Sequence, residues 1–319
     1  MSQWRTERRV DNVRFALLVA FTALVFVACG GDRVYVETGE GARGVGAETA
    51  GKELPQRIIS LSPSTTEVLY GVGAFERVVA VTSYDKFPPE VSRLPKIGGW
   101  SNTNLEQIAA LKPDLIVMTS SQAPLIKDKL DALGVRTLTV PSYTVADALA
   151  GIEQIGAATG RTEEARRLVA EVRAKLEDVR GRTRDRTRPR VLCIVDRLPG
   201  TLRGLYAATS GSFFVELIEI AGGESIAPPA ANGFGQISKE AVVSLNPDII
   251  FDMLQSGDGA LAENTQEVWR ELSNVRAVRD GRVYRLNDES VLHPSQFVGD
   301  TARKFAELIH PSAFGAKPQ

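Results

Sequence analysis

Three groups of residues in this sequence are of types that could do chemistry. The first is nucleophilic. Ser210-Gly211-Ser212 precedes the apolar run Phe213–Ile220, so Ser212 reads as the N-cap of a helix. Cys193 sits inside Val-Leu-Cys-Ile-Val, a run suited to a buried strand, where a thiol serves as a small core side chain. No G-x-S-x-G elbow and no P-loop occurs in the sequence. The second group is histidine. His293 and His310 are the only two, too few for a histidine-built metal cage. His293 precedes Pro294 and reads as a cleft-edge or capping residue rather than a general base. Gly39 to Gly44 fits G-x-G-x-x-G, but no apolar helix follows it, so it makes no dinucleotide site. This inventory gives no enzyme, no resident cofactor and no metal centre.

The third group is aromatic and acidic, and it points to binding. Tyr84 stands in TSYDKFP, Trp100 in GGWSNTN and Phe234 in NGFGQIS. Each lies in a stretch rich in Gly, Pro, Ser or Asn, next to a strand or helix. Such loops gather at the carboxyl edge of α/β sheets, where ligands bind. Aromatic rings there suit a large, flat or partly apolar ligand. Glu106 and Glu240 occupy equivalent places in an internal repeat. NLEQIAALKPDLIV at 104–117 matches SKEAVVSLNPDIIF at 238–251, with Pro113-Asp114 answering Pro247-Asp248. Thr103-x-x-Glu106 fits a capping box and Ser238 can cap the second helix, so each glutamate falls in a first turn, where the helix dipole favours it.

The elements that must position these residues follow from periodicity. Strand-like runs are Ile58–Leu61, Val78–Thr82, Leu115–Met118, Thr137–Val140, Val191–Asp196, Ile249–Phe251 and Val283–Leu286, with helical stretches between them. This alternation predicts an α/β fold with parallel sheets. Apolar positions at helical spacing run from Val145 to Ile155 and again from Ala165 to Val179, and a last helix is expected over about 296–309. The Arg-rich stretch 180–190 carries no aromatic residues, and the formal net charge is only −1, so nothing points to nucleic acid. The two copies of the repeat therefore predict two similar α/β lobes joined by the helical region at about 145–180.

The N-terminus adds a location. Arg5, Arg8, Arg9 and Arg14 precede Phe15–Ala28, an apolar stretch broken only by Thr22. Fourteen residues fall short of the about 20 that span a bilayer, which is the anatomy of a signal peptide. Its end, Phe26-Val27-Ala28-Cys29, resembles the lipobox of bacterial lipoproteins, apart from Phe26, where Leu, Val or Ile is usual. That resemblance implies cleavage before Cys29 and a lipid on its thiol. Residues 30–53, rich in Gly, Ala and Glu, read as a flexible tether. The expected organisation is a signal peptide at 1–28, a tether at 29–54 and an α/β lobe at 55–144. A bridging helical region and linker follow at 145–188, then a second α/β lobe at 189–312 and a tail at 313–319.

The stretch RIISLSPSTTEVLYGVG…TSYDKFPPE…LPKIGGWSNTNLEQIAALKPDLIV resembles the periplasmic binding proteins for cobalamin, ferric siderophores and haem, above all the cobalamin binders. The resemblance resumes at SFFVELIEIAGGESIA and GQISKEAVVSLNPDII and covers about residues 56–311. It implies two lobes bridged by one long helix, ligand held between them with small closure, and delivery to the permease dimer of an ABC importer. On this resemblance Tyr84 and Trp100 match corrinoid contacts, Phe234 stands where a tryptophan is usual, and Asp288 matches part of an acidic and basic cleft pair. Thr119 stands at another tryptophan position. Glu106 and Glu240 match glutamates that pair with permease arginines. The expectation is a lipid-anchored monomer outside the cytoplasm, with a corrinoid or ferric chelate as ligand.

Overall fold

The computed structural model describes residues 53–100, 102–254, 263–286 and 289–315. Cys29, Asp288, the signal peptide and most of the tether lie outside these residues.

The first sheet comprises β1 (Ile58–Ser60), β2 (Val78–Ala80), β3 (Leu115–Thr119) and β4 (Thr137–Val140). All four are parallel, in the order β2-β1-β3-β4. The two central strands, β1 and β3, are buried along their whole length, as continuous apolar runs in a sheet covered on both faces must be. Helices α1 (Pro63–Gly71), α2 (Leu105–Leu111) and α3 (Ala123–Ala132) connect them.

Two helices, α4 (Val145–Thr159) and α5 (Thr162–Thr183), carry the chain to the second sheet. The break between them is Gly160, a left-handed C-cap at φ 70°. Of the two, α5 is the long helix, packed on α4, α6 (Phe213–Ile220) and α10 (Val298–Ile309).

The second sheet is mixed. Its strands are β5 (Arg190–Asp196), β6 (Tyr206–Ala208), β7 (Glu224–Ser225), β8 (Phe234–Gln236), β9 (Ile249–Asp252) and β10 (Val283–Arg285). The order is β10-β9-β5-β6-β8, with β7 beside β5, and β6 antiparallel to both neighbours. The sequence pattern located β5, β9 and β10 but not the short strands. Tyr-Ala-Ala and Phe-Gly-Gln carry no β-branched signal and are held by their neighbours. Helices α7 (Lys239–Leu245), α8 (Thr265–Trp269) and α9 (Arg276–Arg279) complete this half.

One continuous core, including Leu69, Ile152, Val172, Leu217 and Phe305, runs from the first sheet through the linking helices to the second. A separate core covers the other face of each sheet.

The internal repeat extends to its backbone. Lys112 and Asn246 end α2 and α7 in the same left-handed conformation, at φ 47° and 44°. Asp114 then accepts the backbone N–H of Arg57 at 2.9 Å, and Asp248 that of Arg190 at 2.9 Å. The Arg57 side chain donates to the Leu111 carbonyl and that of Arg190 to the Asn246 carbonyl. Each Pro-Asp pair thus clamps the start of the neighbouring central strand.

Candidate functional site

Contacts between the two halves come from residues that follow the carboxyl ends of parallel strands. Glu67, after β1, meets His293, after β10: Nδ1 and Oε1 are 2.7 Å apart. The Gln296 side chain donates to the Glu67 carbonyl oxygen at 2.8 Å. Phe87, after β2, packs edge-on against Phe297, after β10, with centroids 5.2 Å apart. These contacts join segments that follow carboxyl ends of strands in both sheets, and the loops that carry Tyr84 and Trp100 follow the carboxyl end of β2.

Tyr84 is held there by a tight turn. The Thr82 N–H donates to Asp85 Oδ2 at 2.8 Å and the Thr82 hydroxyl donates to the same oxygen. The Tyr84 N–H donates to Thr82 Oγ1 at 3.2 Å. Asp85 is buried, which pushes its carboxyl above the usual range against the donors Thr66 and Thr82. The turn is fixed from beneath while the Tyr84 ring stays 62% exposed.

Trp100 comes from the neighbouring loop. Ser83 N–H donates to the Gly98 carbonyl at 2.8 Å, joining the two loops. The Asn102 side chain accepts the Gly99 N–H, and the Thr103 hydroxyl donates to the Gly99 carbonyl. A Cβ at Gly99 would stand 2.5 Å from the Tyr84 ring, so the ring lies against bare backbone beside Trp100. Tyr84 and Trp100 are thus brought together, and Trp100 is 45% exposed. Thr119 is buried and turned toward Ser121 and Gln122, so it supplies no exposed ring or hydroxyl.

Phe234 lies on the second sheet, in β8 rather than in a loop, and is half-buried. Its ring meets the buried Phe214 edge-on and stacks on Tyr206 at 6.4 Å and 11°. Elsewhere in the second half, a buried charge network that the sequence reading missed fixes the loop after β5. Arg197 Nε donates to Asp252 Oδ2 at 2.9 Å, Trp269 Nε1 donates to the same oxygen at 2.7 Å, and the Arg197 guanidinium also pairs with Glu263. The only sequence signal was a charged residue at the end of each of two apolar strands.

Glu106 and Glu240 are both exposed in the first turns of α2 and α7. Both helices begin at carboxyl edges, after β2 and β8. The capping box expected at Thr103 is corrected: Asn104 is the N-cap, accepting the Gln107 N–H at 3.0 Å. Thr103 is committed to Gly99 instead. Ser238 caps α7 as expected, accepting the Ala241 N–H at 3.1 Å. The Glu240 carboxyl is held below the usual range by its own backbone N–H and the Ser238 hydroxyl. Ser212 caps α6, and Cys193 is fully buried, its thiol pushed up by burial and by Asp252. Among the described residues, no group of three or more His, Cys, Asp or Glu could hold a metal ion, and no helix is long and apolar enough to cross a membrane.

This architecture recurs in known proteins. The sequence model of the family described as periplasmic binding protein matches residues 58–290. The ABC transporter substrate-binding lipoprotein YvrC of Bacillus subtilis is 30% identical over 269 residues, 82% of each chain. The vitamin B12-binding protein of Pectobacterium atrosepticum is 26% identical over 233 residues, 72% of this chain and 82% of that one. The solved periplasmic heme-binding protein of Pseudomonas aeruginosa superposes with a TM-score of 0.70 at 25% identity, covering 83% of this chain and 95% of that one. The chain belongs to the periplasmic binding protein family.

Proposed function

We propose that this chain is the extracytoplasmic solute-binding lipoprotein of an ABC importer, capturing a metal-chelate nutrient between its lobes and handing it to the permease. The observation that carries this reading is the pair of exposed rings, Tyr84 and Trp100, on adjoining loops fixed by hydrogen bonds after β2. Stacked aromatic contacts favour a flat, partly apolar ligand, each worth about 1 kcal/mol beyond the area it buries. Cobalamin is the leading ligand, in keeping with the vitamin B12-binding relatives. Haem or a ferric siderophore is the second reading. It is favoured by the exposed Tyr84 phenol, since tyrosine oxygen can ligate haem iron. Phe234 supplies an aromatic from the second lobe and Asp288 a polar contact. The lobe boundaries are those of the sequence organisation, with residues 145–188 as the bridge. The shared core and the Phe87–Phe297 and Glu67–His293 contacts favour small closure on binding. The protein acts as a monomer by binding alone and catalyses no reaction.

The full-length chain, purified in detergent after growth with corrinoid and iron sources, should carry the absorption spectrum of its ligand. Corrin bands identify cobalamin and a Soret band haem. A colourless protein that also binds none of cyanocobalamin, haemin and ferric siderophores in titration overturns the reading.

Cys29 is proposed to carry the lipid, in line with the lipoprotein among the relatives. Labelled palmitate should enter the wild-type chain and not Cys29→Ala; label retained by the variant removes Cys29 as the anchor.

A further inference from the structure

We infer that Tyr206, rather than Phe234, is the outermost aromatic contact of the second lobe, with Phe234 as its positioning residue. This rests on the proposed binding of ligand between the lobes and adds a contact to it. Tyr206 pairs with Asp196, the last residue of β5, so it stands at the carboxyl edge of the second sheet. Its ring is 39% exposed, whereas Phe234 is half-buried and Phe214 buried. The three rings form a graded series from core to surface. Phe214 sits in the core, Phe234 meets it edge-on at 80°, and Tyr206 stacks on Phe234 at 11°. An aromatic ring backed in this way presents its plane at little conformational cost on binding, because its orientation is already set. Backing comes also from the loop that leads into it. Leu198 N–H donates to the Arg203 carbonyl, and Arg197 is tied to both Asp252 and Glu263. Leu198, 56% exposed in the same loop, lies against Gly204, two residues before Tyr206, and adds an aliphatic side chain there. The ligand surface offered by the second lobe is therefore a tyrosine ring and an aliphatic side chain, matched to an apolar face of a planar macrocycle.

The test uses the full-length chain in detergent, titrated with cyanocobalamin and separately with haemin. Wild type, Trp100→Ala, Tyr206→Ala and Tyr206→Phe are compared, each with a thermal melt. Tyr206→Ala should raise Kd for the bound probe about tenfold, a loss of roughly 1.4 kcal/mol. Tyr206→Phe, which keeps the ring and the stack, should stay within about twofold. Both should melt near wild type, since the ring is at the surface. Wild-type affinity in Tyr206→Ala, while Trp100→Ala binds weakly, overturns the Tyr206 assignment alone. Loss of affinity in Tyr206→Phe equal to that in Tyr206→Ala overturns the ring-face contact. A wild-type protein that binds neither probe, nor a ferric siderophore in the same titration, overturns the inter-lobe reading, and the Tyr206 assignment with it.

Discussion

Trp100 offers a large ring to solvent from a loop whose shape does not depend on that ring. The loop is fixed by the Asn102 and Thr103 side chains on Gly99 and by Asn104 at the start of α2. Truncation to alanine therefore removes little core packing, and its cost should fall on the ligand. Trp100→Ala is expected to weaken binding of cyanocobalamin about tenfold while the melting temperature moves little, measured by calorimetry and thermal melts. Unchanged affinity with a large loss of stability would place Trp100 in the core instead. The same physics explains what was legible at this scale. Tyr84 and Trp100 stood out because glycine, asparagine and serine around a large ring mark a loop that cannot bury it. Phe234 carried the same marks, yet Gly235 and Gln236 complete a short edge strand, and burial against Phe214 is a tertiary fact. Tyr206 also lies among turn residues, Pro199-Gly200 and Gly204 before it and Ser210-Gly211 after it, but Leu205 and two alanines flank it directly and the sequence reading did not single it out. Thr103 and Asn104 are adjacent and both able to cap; only the fold decides that Thr103 bonds Gly99 and leaves the cap to Asn104.

At the scale of elements, α5, α6 and α10 converge on one buried junction. His310 ends α10, and its Nε2 lies 3.1 Å from the Gly222 carbonyl, just past α6. Thr183, at the end of α5, donates to the Ile220 carbonyl at 3.0 Å. A side chain at Gly222 would meet both His310 and Thr183 at 2.8 Å and would need φ +81°. Burial holds the His310 imidazole below its usual range, and the charges of Arg186 and Arg282 act the same way, against the Gly222 hydrogen bond. A histidine depressed in the folded state contributes stability that is present above about pH 6.5 and lost as pH falls through its folded value. The melting temperature should therefore fall between pH 7 and pH 5, and His310→Gln, which can donate the same bond, should flatten that fall. An unchanged slope in the variant would assign the pH dependence to other groups. Asp85 cannot produce it. Its raised carboxyl has the opposite sign, with stability present below about pH 4 and lost as pH rises. The long elements of this region were legible from apolar spacing. The junction itself was not, because Gly222 and His310 are 88 residues apart and meet only through packing.

For the whole molecule, the repeat sets a constraint that no single lobe shows. Glu106 and Glu240 are exposed, each in the first turn of a helix that begins at a carboxyl edge. The clamps at Asp114 and Asp248 fix the two helix–strand units in the same way, so the carboxylates are carried on like scaffolds. We propose that the two like lobes meet the two identical subunits of a permease dimer through one carboxylate each. Charge-assisted pairs with arginine are directional, fixing register and orientation more than adding affinity. A purely capping role is the competing account, and the geometry limits it: Asn104 and Ser238 are the N-caps, accepting the Gln107 and Ala241 N–H groups, while Glu240 turns to its own N–H and the Ser238 hydroxyl. The two carboxylates can therefore be reversed in charge with the caps intact. Glu106→Arg combined with Glu240→Arg should leave the protein folded and its affinity for cyanocobalamin or haemin within about twofold. In proteoliposomes holding the cognate importer, uptake should fall to background, and each single variant should lie between. Reversal of charge on the matching permease arginines should restore part of the uptake, which a general defect in the binding protein would not allow. Uptake at the wild-type rate by a double variant that binds ligand normally would show that these glutamates serve their own helices and nothing beyond them.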